Sequence, residues 1–257
     1  MKKIVSLFVV VVVFSIFPAK NLSAQNKDIT VLITGANRGL GLEMAKQFTD
    51  DGYTVIGTAR KPERAKELND LGVKVVALDV TDSESIQAMV TSLDGVTIDI
   101  LINNAGYFGP NKVGTPLNDL EKLTKKEIED CFSVNSLGPI FVTKALLPNL
   151  KKSKIKKLIY ISSRASILNR TKQKANYGYK MSKVALNMGV LIMHNDLKKE
   201  GFIVTAIAPG HTQTDMGGKG AQLTPEQTIN KVKTLITSLT TKQSGKLLFN
   251  DGSVLEW

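Results

Sequence analysis

A single cysteine, Cys131, stands among the 257 residues, so no disulfide can form within the chain. Histidine is nearly as scarce. His194 and His211 are the only two, and nothing around them has the spacing of a zinc site, so no metal is expected. Acidic residues are outnumbered, 23 against 34 lysines and arginines, which leaves a net charge of +11. Lysines gather in "KKSKIKK" at 151–157 and at Lys122, Lys125 and Lys126. No aromatic residues interleave with them, as a nucleic-acid face would favour, so the patches read as solvated surface and no nucleic-acid partner is expected. The positive field would still attract an anionic cofactor or substrate. Internal repeats, low-complexity tracts and linkers are missing from 28–257, which reads as one domain.

Long uncharged runs are also rare, and one of them is at the N-terminus. Lys2 and Lys3 precede "IVSLFVVVVVFSIF" at 4–17, and Pro18 and "NLSAQN" follow. This is the order of a positive n-region, an apolar h-region and a candidate cleavage site after Ala24. The run falls short of the roughly 20 residues of a membrane span. Leu22 is larger than the small residue usual at such a site, so an uncleaved anchor is the alternative. Residues 1–24 are therefore expected to export or anchor the domain, and any membrane contact to go through them. A cytoplasmic location is the competing reading.

From Asp28 on, apolar β-rich runs alternate with helical patterns. Strands are expected at 29–34, 53–59, 73–80, 98–106, 157–163, 202–210 and 245–252. Helices are expected at about 39–50, from Pro62, after a cap at Asp82 or Ser83, up to about 150 with a break near Gly138-Pro139, at 176–200, and at 224–239. Nearly continuous apolar strands separated by helices predict an α/β fold, a doubly wound parallel sheet of about seven strands covered on both faces. Ligands in such sheets bind beyond the strand C-terminal ends. The residues at those ends are Gly35, Arg60, Asp79, Asn103, Ser163 and Pro209.

The turn after the first strand reads "TGANRGLG", with Gly35, Gly39 and Gly41 spaced G-x-x-x-G-x-G. Glycines there permit a tight turn and close approach of a pyrophosphate to a helix N-terminus. Further on, "NYGYKMSK" at 176–183 holds two tyrosines and two lysines. Tyr179 and Lys183 are four residues apart and share a helix face. Tyr177 is some 120° away from Lys183 at about 100° per residue. Tyr177 therefore reads as a bystander, and Lys180 as solvated. An ammonium about 5 Å from a phenolate stabilises it by roughly 3 kcal/mol at an effective dielectric near 20. That is about two pKa units, so Lys183 is expected to lower the pKa of Tyr179 towards the useful range.

Six motifs in order, "TGANRGLG", "NNAG" at 103–106, Asn135 in "SVNSLGP", "ISSRAS" at 161–166, Tyr179-x-x-x-Lys183 and "APGHTQT" at 208–214, resemble the short-chain dehydrogenase/reductase family. "TDMGG" at 214–218 and the ending "GKLLFNDGSVLEW" resemble its C-factor or sniffer-like carbonyl reductase subgroup. The resemblance implies a Rossmann-fold domain over 28–257 that moves a hydride between nicotinamide and a small carbonyl or alcohol. It implies Tyr179 as general acid/base, Ser163 as hydrogen-bond donor to the substrate carbonyl with Ser162 as competitor, and Lys183 also on the nicotinamide ribose. Asn135 would hold a water linking Lys183 to solvent. Ser166 stands where the family commonly has glycine.

The implied cofactor residues are Gly35, Asn37, Arg38, Gly39, Leu40, Gly41, Arg60, Asp79, Val80, Asn104, Ala105, Gly106, Tyr179, Lys183, Pro209, Gly210, Thr212 and Thr214. Members that use NAD commonly place an acid after the second strand, on the ribose 2′-hydroxyl. Here Ala59 and Arg60 stand there, with Arg38 as a second candidate clamp, and an arginine suits a 2′-phosphate. NADP(H) is therefore expected over NAD(H). The loops at 107–120, 164–176 and 215–224 would shape the substrate pocket, with His211 as a loop residue near its mouth. A dimer or tetramer is common in the family. The alternatives are an epimerase or dehydratase, disfavoured by the glycine spacing and the small C-terminal region, and a dinucleotide-binding sensor or signalling protein with little turnover.

Overall fold

The computed structural model describes residues 26–110, 120–170 and 176–257. The expected export segment at 1–24 lies outside the described residues, as do 111–119 and 171–175 of the expected pocket loops.

Among the described residues eight strands form one sheet in the order β3-β2-β1-β4-β5-β6-β7-β8. They are β1 Thr30–Ile33, β2 Thr54–Ala59, β3 Lys74–Ala77, β4 Ile100–Asn103, β5 Lys157–Ile161, β6 Ile203–Ala208, β7 Leu247–Phe249 and β8 Val254–Leu255. The first seven are parallel, and β8 runs antiparallel to β7. The eighth strand is an addition to the expected seven. It is two residues long, too short to show an alternating pattern.

The α-helices are α1 Gly39–Asp50, α2 Lys66–Asp70, α3 Ser83–Ser92, α4 Lys125–Phe132, α5 Gly138–Lys151, α6 Tyr177–Leu197 and α7 Pro225–Ser238. Two expectations need correction. Pro62 opens a 3-10 turn, Pro62–Arg64, and α2 starts only at Lys66. No break occurs at Gly138-Pro139. A π turn, Ser133–Leu137, joins α4 to α5, and Pro139 falls in the first turn of α5, where its missing N–H costs no α-helical bond. Other ends follow local chemistry. Asp82 caps α3 by accepting from the Glu84 N–H at 2.9 Å, and Thr224 and Gln227 form a reciprocal capping box on α7.

Strand β1 is fully buried after Thr30, and β4, β5 and β6 are buried throughout, as strands covered on both faces must be. Leu32, Leu101, Leu158 and Val204 pair in register across these four strands. This row packs against Val142, Leu146, Leu186 and Val190 of α5 and α6. The alternate residues Ile33, Ile102 and Ile159 face Met44 and Phe48 of α1 and Ile229 and Val232 of α7. Each such side chain contributes about 1.5–3 kcal/mol on burial. The chain crosses from β3 to β4 on the far side of β1, so a crevice opens where β1 and β4 end side by side.

Candidate active site

The crevice is stitched at its base. The Thr34 hydroxyl accepts the N–H groups of Asn104 and Ala105, each at 3.0 Å. The Asn104 amide donates to the carbonyls of Thr34 at 2.9 Å and Gly35 at 3.1 Å. Above this base the turn enters α1. Gly39 has φ +55°, which L side chains rarely adopt. A Cβ at Gly41 would lie 2.3 Å from the Gly35 carbonyl oxygen and 2.6 Å from the Asn104 amide nitrogen. Arg38 precedes α1 without capping it, and the first turn of α1 carries no acidic residue. Its open N–H groups and the glycine cradle fit a pyrophosphate.

A cleft of about 2420 Å³ runs over this turn, beyond the roughly 300–1,000 Å³ of an ordinary small-molecule pocket. It has room for a dinucleotide and a substrate together. The structure brings nearly all the residues expected from sequence to its walls. Gly35, Asn37, Arg38, Gly39, Leu40 and Gly41 line the middle, with Asn104, Ala105 and Gly106 beside them. Arg60, Asp79 and Val80 line one end. Ser163, Tyr179, Lys183, Pro209, Gly210, Thr212 and Thr214 line the other.

At the first end, Lys61 and Arg64 join Arg60 in a basic rim, two cations beyond the expected Arg60 and Arg38. Asp79 accepts the N–H of Thr81 at 2.9 Å and its hydroxyl at 2.7 Å through one carboxylate oxygen. Val80 packs so closely on α5 that a Cβ at Gly138 would meet it at 2.9 Å.

At the other end, α6 starts at Tyr177, and Tyr179 is partly buried with its ring 4.9 Å from that of Phe108. Lys183 lies one turn on, 4% exposed, with its ammonium donating to the Ile161 carbonyl at 2.7 Å. Burial pushes its pKa down to about 8. Burial also raises the pKa of Tyr179, against the pull of a hydrogen bond with Ser163. This corrects the expected lowering by Lys183: the ammonium points at Ile161, and desolvation of the phenolate wins. Lys180 is a second correction, since it is partly buried and lines the cleft rather than standing in solvent. Tyr177 is exposed and lies off the cleft lining.

The two serines diverge. Ser162 donates to the Asn187 side-chain oxygen at 2.7 Å, while Ser163 accepts from the Ala165 N–H at 3.1 Å and meets Tyr179. Ser166, at the family's glycine position, accepts from the Asn187 amide at 2.8 Å and donates to the Ser163 carbonyl at 2.6 Å. This clamp on the serine segment is not legible in the sequence, because its partners are 21 residues apart.

Asn135 sits in the π turn, fully buried. Its side-chain oxygen accepts the Tyr107 N–H at 2.8 Å, and its amide donates to the Tyr107 carbonyl at 2.7 Å and the Ser182 hydroxyl at 3.0 Å. The side chain is thus occupied in fixing the segment beside Phe108, and a water towards Lys183 would have to use another group. Thr212 likewise turns its side chain away, to Thr228 at 2.8 Å. Thr214 accepts the Gly217 N–H at 3.0 Å, and His211 bonds the Gly217 carbonyl at 2.8 Å as a loop residue. Among the described residues no group of three or more His, Cys, Asp or Glu could hold a metal.

Comparisons with known proteins agree with this geometry. Residues 29–223 match the family model of short chain dehydrogenases. The C-signal protein of Myxococcus xanthus is 34% identical over 172 residues, 67% of this chain and all of that protein. The 1-hydroxy-2-glutathionyl-2-methyl-3-butene dehydrogenase of a Rhodococcus strain is 32% identical over 235 residues, 89% of this chain and 99% of that protein. The structure of an NADPH-bound carbonyl reductase from chicken fatty liver superposes with TM-score 0.80 at 30% identity, covering 89% of this chain and 98% of that one. Carbonyl reductase Sniffer of Drosophila melanogaster gives 0.83 at 28%, covering 89% and 99%. The chain belongs to the short chain dehydrogenase family and is an NAD(P)-dependent oxidoreductase with carbonyl reductase relatives.

Proposed function

We propose that this protein is an NADPH-dependent carbonyl reductase in which Tyr179 is the general acid. The observation that carries the reading is the cleft itself. It runs from a rim of Arg60, Lys61 and Arg64, over the glycine cradle, to Tyr179, Ser163 and Lys183. The bound cofactor supplies the hydride. The chain's own residues do the rest. The basic rim pairs with a 2′-phosphate, which an acid in place of Arg60 would repel. Ser163 accepts from the Ala165 N–H, and its O–H, which meets Tyr179 in the free protein, turns to donate to a substrate carbonyl. Tyr179, its pKa raised, keeps its proton at neutral pH and delivers it to the carbonyl oxygen as negative charge develops there. Lys183, charged for the most part at pH 7, steadies the tyrosinate that forms. The Phe108 ring beside Tyr179 supports an apolar or aromatic carbonyl substrate.

NADPH oxidation followed at 340 nm with a panel of aldehydes, ketones and quinones tests the reading. The C-signal relative favours a second one, a dinucleotide-binding signalling protein with little turnover. The retained Tyr179 and Lys183 speak for turnover. We also propose a homo-oligomer, supported by exposed Phe141 of α5 and Met188 and Ile192 of α6, and export or anchoring through residues 1–24. Sedimentation and cell fractionation test these two.

A further inference from the structure

Arg38 stands where the glycine turn enters α1, and its guanidinium lies 2.8 Å from the carboxylate of Asp215, with both side chains largely in solvent. Asp215 belongs to a turn folded on itself. The Gly217 N–H donates to the Thr214 hydroxyl at 3.0 Å, the Gly218 N–H to the Thr214 carbonyl at 2.8 Å. The same turn lies beside the cradle, for a Cβ added at Gly39 would come within 3.5 Å of the Thr214 methyl. The turn therefore lies beside the glycine segment and is pinned to it by charge.

Arg38 also has access to the basic rim. The Ala36 N–H donates to the Thr58 carbonyl at 2.8 Å and the Gly35 N–H to the Thr58 hydroxyl at 3.2 Å. The glycine turn thus lies against the end of β2, two residues before Arg60. A long, exposed arginine side chain can face Asp215 or that rim, and not both. A phosphate monoester offers up to two charges and three acceptor oxygens, where Asp215 offers one charge and two.

Resting on the NADPH reading above, we propose that Asp215 is a specificity-determining residue for the cofactor. Its carboxylate holds Arg38 away from the 2′-phosphate position. A 2′-phosphorylated dinucleotide binds by drawing Arg38 off Asp215, which removes the charged pin on the 211–218 turn. A dinucleotide with a free 2′-hydroxyl leaves the pin in place. Asp215 therefore weakens NADPH binding and couples cofactor identity to release of the segment beside the catalytic end.

The test is titration of NADPH and NADH, each alone, at low salt into the wild type, Asp215→Asn, Arg38→Ala and the double variant. Asp215→Asn is expected to tighten NADPH by about 1.5- to 5-fold, the equivalent of one exposed ion pair, and to leave NADH unchanged. The gain is expected to vanish when Arg38 is alanine. Unchanged or weaker NADPH binding in Asp215→Asn, an equal gain for NADH, or a gain that survives Arg38→Ala would overturn the assignment. Equal wild-type affinity for the two dinucleotides would instead sink the NADPH reading on which it rests.

Discussion

The Lys183 ammonium lies 5.9 Å from the centre of the Tyr179 ring and spends a 2.7 Å hydrogen bond on the Ile161 carbonyl. The two residues share a helix face, yet the lysine is turned to the end of β5. In the free protein burial therefore governs both groups, lifting the phenol and lowering the ammonium. The tyrosine is held as an acid, and the lysine is held close to its own titration.

That burial makes stability depend on pH. The Lys183 pKa is about 8 when folded, against an ordinary value of 10.5. Above pH 8 the unfolded chain binds more protons at this site than the folded one, so stability rises with pH. Lys157, buried where it donates to the Ile236 and Thr237 carbonyls, adds a slope of the same sign. Cys131, pushed up to about 11, opposes both above pH 9, where unfolded thiols ionise. Denaturant unfolding between pH 8 and 9 should show a rise that Lys183→Met reduces. The variant should also be more stable at pH 7, by up to about 3 kcal/mol.

Gly41→Ala should disable the cradle. Its methyl would lie 2.3 Å from a backbone oxygen and 2.6 Å from the Asn104 amide, so the turn must open. A loss of about 1–3 kcal/mol in stability is expected. NADPH affinity should fall at least tenfold in the fraction that folds. Thermal melts and cofactor titration read the two effects separately.

Arg60→Ala should weaken NADPH about tenfold, the loss of one charge-assisted contact, and leave NADH nearly unchanged. Equal loss for both cofactors would place Arg60 elsewhere than at a 2′-phosphate.

The full-length protein expressed in a bacterium should be recovered outside the cytoplasm, either beginning after Ala24 or intact in the membrane fraction. Fractionation with N-terminal sequencing checks this. An intact, soluble, cytoplasmic protein would contradict it.

The sheet was legible because its central strands, such as "ITVLIT" and "FIVTAIAPG", are apolar without alternation, and their ends carry the informative residues. The catalytic segment was legible through the fixed spacing of Tyr179 and Lys183. What escaped the sequence was long-range. The pull of the Ile161 carbonyl on Lys183, the grip of Asn135 on Tyr107 and the pairing of Arg38 with Asp215 join residues 22, 28 and 177 apart. Spacing says which residues share a helix face and nothing about which backbone carbonyl competes for a cation. The π turn at Ser133–Leu137 was read as a break because Gly138-Pro139 is a strong local stop signal, which Pro139 evades by lying in a first turn.

The most direct test compares Tyr179→Phe with Tyr177→Phe in NADPH oxidation at 340 nm, on a carbonyl that the wild type reduces. Tyr179→Phe should lose at least a hundredfold in kcat with cofactor affinity retained, and Tyr177→Phe should stay close to wild type. Full turnover by Tyr179→Phe would contradict the account.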